Sequence, residues 1–113
     1  MNGIPLAITL ALQATAGVQA TPGPLLTVTN EKGVVEITAP TFADVPYGEH
    51  PKQVLHFWKA ASTGPAPLLV FIHGGGWTGG SRTDARFCAL LPPMLRAGIS
   101  VASVGYRFIQ DAN

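Results

Sequence analysis

Residues 68–81 read Leu68-Leu69-Val70-Phe71-Ile72-His73-Gly74-Gly75-Gly76-Trp77-Thr78-Gly79-Gly80-Ser81. Five apolar residues without a polar alternate are the pattern of a strand buried on both faces. The run ends abruptly in five glycines within seven positions. Such a density marks a backbone that needs unusual dihedrals or the close approach of another group. Beyond it, Phe87, Leu90, Leu91, Met94 and Leu95 recur at helical spacing, with Ser81 or Thr83 as the expected N-cap. Pro92-Pro93 should bend or break that helix, Gly98 should stop it, and Ile99–Val104 reads as the next strand. Strand, helix and strand in about 40 residues form a βαβ unit, so the fold class is α/β with a partly parallel sheet.

Working upstream, Gly33–Ala39 is β-branched and partly alternating, which predicts a strand. Asp44–Pro51 has turn chemistry, with two prolines and a glycine. Val54–Ala60 reads as a second strand and Ser62–Pro67 as a loop, giving about four strands and one helix without internal repeats. Met1–Ala20 carries no charge. Its apolar run, residues 4–12, is too short to span a membrane, and Val18-Gln19-Ala20 fits a signal-peptidase site. The expectation is a signal peptide over residues 1–20, cleavage after Ala20, and a secreted or periplasmic mature chain over 21–113.

Composition narrows the function. Charged residues make up 12% of the chain, against 47% hydrophobic, and the net charge is +1. That balance disfavours a disordered tail and leaves no electrostatic footprint for nucleic acid. One cysteine, Cys88, excludes an internal disulfide and any multi-thiolate metal site, and it reads as an inert thiol on the helix. The three histidines share no short metal-binding spacing, so no metal and no cofactor are expected.

A glycine-rich turn between a buried strand and a helix suits two chemistries. Backbone N–H groups can stabilise the oxyanion of an acyl-transfer transition state, where side chains must be absent for the carbonyl to approach. Alternatively, Gly74-Gly75-Gly76-Trp77-Thr78-Gly79 matches G-x-G-x-x-G, and the helix N-terminus would hold a dinucleotide pyrophosphate. The second match is nearly automatic in a glycine cluster. The position after the next strand offers Arg107 rather than an acidic ribose partner.

His73-Gly-Gly-Gly-Trp77 resembles the HGGG loop of α/β-hydrolase lipases and esterases, which lies between the third strand and the first helix. Asp44–Gly48 with Val54–Trp58, and Ser103–Arg107, are similar to flanking segments of secreted carboxylesterases of the acetylxylan- and feruloyl-esterase type. The likeness runs from about Val34 to Asp111. It implies that Gly75 and Gly76 donate the oxyanion N–H groups, that Gly74 permits the turn, that His73 braces the loop, and that Trp77 lines the acyl pocket. The implied substrate is a small-molecule or carbohydrate-linked ester.

The same resemblance calls for Ser, Asp/Glu and His in chain order, with the serine on a G-x-S-x-G elbow. No such elbow occurs here. Ser100 and Ser103 fall in a predicted strand, and no histidine follows His73. Asp111 has no triad partner. The expectation is therefore the N-terminal part of a hydrolase, ending before the nucleophile, inactive alone and with Leu68–Ile72 at an apolar sheet edge. A dinucleotide-binding module and a non-catalytic exported domain are the alternatives.

Overall fold

The computed structural model describes residues 24–112, so the expected signal peptide lies outside the described residues. Among these residues, six strands, one α-helix and a 3-10 turn follow in the order β1 (Leu25–Asn30), β2 (Gly33–Thr38), β3 (Phe42–Pro46), β4 (Val54–Trp58), β5 (Leu68–Ile72), α1 (Ala85–Arg96), β6 (Ser100–Val104) and the turn Ile109–Asp111. β1 and β2 form an antiparallel hairpin. The other four make a mixed sheet in the order β3-β4-β6-β5.

β5 and β6 pair in parallel from Leu68↔Ser100 to Ile72↔Val104, as the βαβ reading requires. β4 joins β6 antiparallel, with His56 opposite Ser103 and Trp58 opposite Val101. β6 is flanked on both sides, and Ser100, Val101, Ala102 and Ser103 are all buried. α1 covers one sheet face through Phe87 and Leu91. Together with Trp58, Val101 and Ile37 of the hairpin they form the buried core. The Phe87 ring lies 5.1 Å from Trp58 and 5.2 Å from Phe71, centroid to centroid. Trp58 Nε1 donates to the Thr38 carbonyl at 2.7 Å and fastens the hairpin to the sheet.

Several sequence expectations change. β1 and β3 join the four expected strands. β3 runs into the segment read as a turn, where Asp44 takes a left-handed φ of 50° at a shift in the β3–β4 register. α1 runs unbroken through Pro92 and Pro93. Both prolines are exposed, so their rings stay off the packed face of the helix, while the carbonyls of Cys88 and Ala89 lose their N–H partners. The N-cap is Asp84, whose carboxylate accepts the Phe87 amide at 2.8 Å. Glu31, from the hairpin turn, adds a second acceptor for the Ala85 amide at 3.0 Å. Gly98 does stop the helix, with φ 79°. Its amide bonds the Leu95 carbonyl, and the Ile99 amide bonds that of Met94, the Schellman pattern.

β5 differs from the doubly buried strand its composition predicts. Leu69 and Phe71 pack toward α1, but Leu68, Val70 and Ile72 are exposed, because β5 is an edge strand and no described element covers its other face.

Candidate functional site

The glycine loop leaves the C-terminal end of β5, next to the end of β6. Gly75, Gly76, Trp77 and Gly80 have φ values of 131°, 62°, 60° and 100°. These left-handed values explain the glycine density at two positions in particular. A Cβ on Gly75 would fall onto the Gly79 carbonyl, and one on Gly80 onto the Gly74 carbonyl and 2.5 Å from His73 Nδ1. The loop thus folds back on itself more tightly than side chains permit. Trp77 is the exception, a bulky residue that is 67% exposed and in a conformation L residues avoid.

His73 is buried. Its Nδ1 lies 2.8 Å from the Gly74 carbonyl, and its ring stacks on Tyr106 with centroids 4.3 Å apart. Tyr106 Oη donates to the His73 carbonyl at 2.6 Å. The Ile109 amide donates to the Trp77 carbonyl at 2.8 Å, and Gln110 Nε2 to that of Thr78 at 3.1 Å. Thr78 closes a turn inside the loop by donating its amide to Gly75 at 3.1 Å. Among the described residues, neither the Gly75 amide nor the Gly76 amide donates a hydrogen bond.

A cleft of about 290 Å³ opens against the loop. Ile72 and Val104, the last residues of the two parallel strands, line it with His73, Gly74 and Gly76, and Trp77 and Tyr106 complete the lining. The lining is mostly apolar, which favours an apolar group over a charged ligand. Four of the five predicted site residues thus meet at one cleft. Gly75 shapes the loop without lining it. Tyr106, Ile72 and Val104 were missed as site residues. The Tyr106-Arg107 segment offered a signal only for the first.

The two serines are engaged in the fold. Ser100 Oγ accepts the Ala60 amide at 3.0 Å, and Ser103 Oγ donates to the Arg82 carbonyl at 2.6 Å. Both are buried in β6. His56, opposite Ser103, uses Nδ1 to accept the Asp44 amide at 3.2 Å. Burial, followed by the Arg82 charge, holds its pKa below the ordinary 6.5, against the opposing pull of Asp44. Cys88 receives the Asn30 side chain at 3.6 Å, and burial raises its thiol pKa, which leaves it a poor nucleophile. Asp111 bonds Lys52 at 2.7 Å. Among the described residues no three His, Cys, Asp or Glu side chains converge as a metal site, and no helix is long and apolar enough to cross a membrane.

Known proteins share this region. The BD-FAE family model matches residues 56–113, which contain the end of β4 from His56 on, β5, the glycine loop, α1, β6 and the segment bracing the loop. Kynurenine formamidase of Danio rerio is 37% identical over 58% of this chain and 22% of its own length. Esterase LipC of Mycobacterium tuberculosis is 40% identical over 54% of the chain and 15% of its own length. Carboxylic ester hydrolase LipN of the same organism is 37% identical over 82% of the chain and 22% of its own length. The chain therefore spans a quarter or less of these relatives. No solved structure gives a significant match. With a family model covering just over half of its residues, and esterases among its relatives, the chain belongs to the BD-FAE family of α/β-hydrolase-like esterases.

Proposed function

We propose that this chain supplies the oxyanion loop of a carboxylic-ester hydrolase that transfers an acyl group to water. One observation carries the reading. A parallel strand ends in a left-handed glycine loop whose Gly75 and Gly76 amides donate no hydrogen bond among the described residues, and the loop borders an apolar cleft. In acyl transfer, negative charge develops on the carbonyl oxygen, and preorganised N–H donors stabilise it without reorganising. Gly75 and Gly76 are the donors in this reading. His73 and Gly74 support the loop, and Trp77 borders the acyl group.

The nucleophile, acid and base then come from outside these 113 residues. Ser100 and Ser103 support this assignment because their hydroxyls are buried and committed to backbone partners. The edge position of β5 supports it too, since its free side lies beside the glycine loop, where a nucleophile-bearing strand would complete the site. The full-length protein carrying this stretch is expected to hydrolyse a short-chain aryl ester saturably and to lose that activity to a serine-directed phosphonate. The 113-residue chain alone is expected to show no turnover above background. An inert full-length protein, or phosphonate-sensitive turnover by the short chain, would overturn the proposal.

A further inference from the structure

The segment after β6 grips the glycine loop at three carbonyls, those of His73, Trp77 and Thr78, through Tyr106, Ile109 and Gln110. The regular part of that segment is a single 3-10 turn, Ile109–Asp111, which is too short to hold its own shape. Asp111 supplies the shape. Its carboxylate accepts the Phe108 amide at 2.9 Å and the Lys52 ammonium at 2.7 Å. Lys52 also sits 4.1 Å from the centroid of the Phe108 ring, and that ring meets both His73 and Tyr106 edge-on. Lys52 belongs to the β3–β4 connection, a turn closed by the Tyr47 amide on the Gln53 carbonyl and the Gln53 amide on the His50 carbonyl. The pair thus links a firm turn of one hairpin to the brace of the glycine loop.

We infer that Lys52 and Asp111 form a positioning lock for the oxyanion loop; the inference rests on the ester-hydrolase reading. Neither residue lines the cleft, so both act through Phe108 and Ile109. The link that matters is the Ile109 amide on the Trp77 carbonyl. Trp77 holds a left-handed backbone, and a strained residue persists only where its surroundings over-determine it. Release of Asp111 frees Ile109, and Trp77 then relaxes, moving the adjoining Gly76–Trp77 peptide. An ion pair this exposed, with 41% of the Lys52 side chain accessible, contributes little to global stability. Its effect is therefore expected in the reaction rather than in unfolding.

The test uses the full-length protein and a short-chain aryl ester. Asp111→Ala and Lys52→Gln each lower kcat about tenfold with KM within about twofold, since small misplacements of catalytic groups are costly. The double variant falls no further than either single one, and Lys52→Arg restores most of kcat. Hydrogen exchange at the Ile109 amide speeds up in Asp111→Ala while core amides of β6 are unchanged. A wild-type kcat in both single variants, or a loss confined to KM, overturns the lock. If the wild-type protein hydrolyses no ester, the functional reading fails instead. Exchange then decides the lock: faster exchange at Ile109 sustains it, and unchanged exchange refutes it.

Discussion

Alanine substitution along the glycine loop gives a graded test of both the conformation and the role assigned to it. At Gly74 the backbone is not left-handed and a new Cβ meets nothing within 4 Å, so Gly74→Ala should stay within about 0.5 kcal/mol of the wild type in stability. Gly76 also has open space, but its φ of 62° places alanine in the left-handed region at a cost of about 1–2 kcal/mol. Gly75 has both problems: φ is 131° and the Cβ would fall onto the Gly79 carbonyl. The backbone must move there, and the amides with it. Removing one oxyanion donor costs about 2.7–4 kcal/mol of transition-state stabilisation, a loss of roughly 100- to 1000-fold in kcat. The assay is kcat on a short-chain aryl ester for the full-length protein, with thermal unfolding followed in parallel. The expected order of activity is Gly74→Ala, then Gly76→Ala, then Gly75→Ala, and Gly80→Ala should fall with the last. A Gly75→Ala variant as active as Gly74→Ala would refute the loop geometry and the catalytic role together.

His56 makes stability depend on pH. Its folded pKa lies below 6.5, so the unfolded chain takes up the proton more readily. This contribution is complete above pH 6.5 and is lost as pH falls below it towards the lower folded value. Urea midpoints between pH 5 and 8 should show a steeper acid-side decline for the wild type than for His56→Asn, whose amide oxygen can still accept the Asp44 N–H; parallel curves would contradict this. Asp84→Ala should cost about 1 kcal/mol in denaturant unfolding, more than Ser81→Ala or Thr83→Ala, because it is the Asp84 side chain, not that of Ser81 or Thr83, that accepts the Phe87 amide at the start of α1. The opposite ranking would discredit the cap assignment. For export, intact mass of the protein recovered outside the producing cytoplasm should correspond to a chain starting at Thr21, and a retained Met1 would count against it.

Local patterns made most of the βαβ unit readable. Leu68–Ile72, the periodic Phe87, Leu91 and Leu95, the stop at Gly98 and the run to Val104 each carry enough short-range information to declare a strand, a helix, a C-cap and a strand. Two strands escaped for local reasons. Leu25–Asn30 follows a proline- and glycine-rich stretch, and Phe42–Pro46 ends in proline and contains a left-handed Asp44. Both are held by pairing with the strand that follows them, a contact that single-residue propensity does not register. The continuous α1 shows a similar override. Phe87 and Leu91 bury one side firmly enough for Pro92 and Pro93 to be accommodated on the other.

Sequence alone determined the elements whose signal lies within a few residues: the apolar strand, the glycine loop that follows it, and its resemblance to a hydrolase motif. Within these 113 residues no histidine follows His73. Only the tertiary structure decided what surrounds the loop. The contacts from Tyr106, Ile109 and Gln110 span 32 or 33 positions along the chain, and that between Lys52 and Asp111 spans 59. No local pattern encodes such pairs. They exist because β6 pairs with both β4 and β5, which brings the chain after β6 up against the ends of both neighbours.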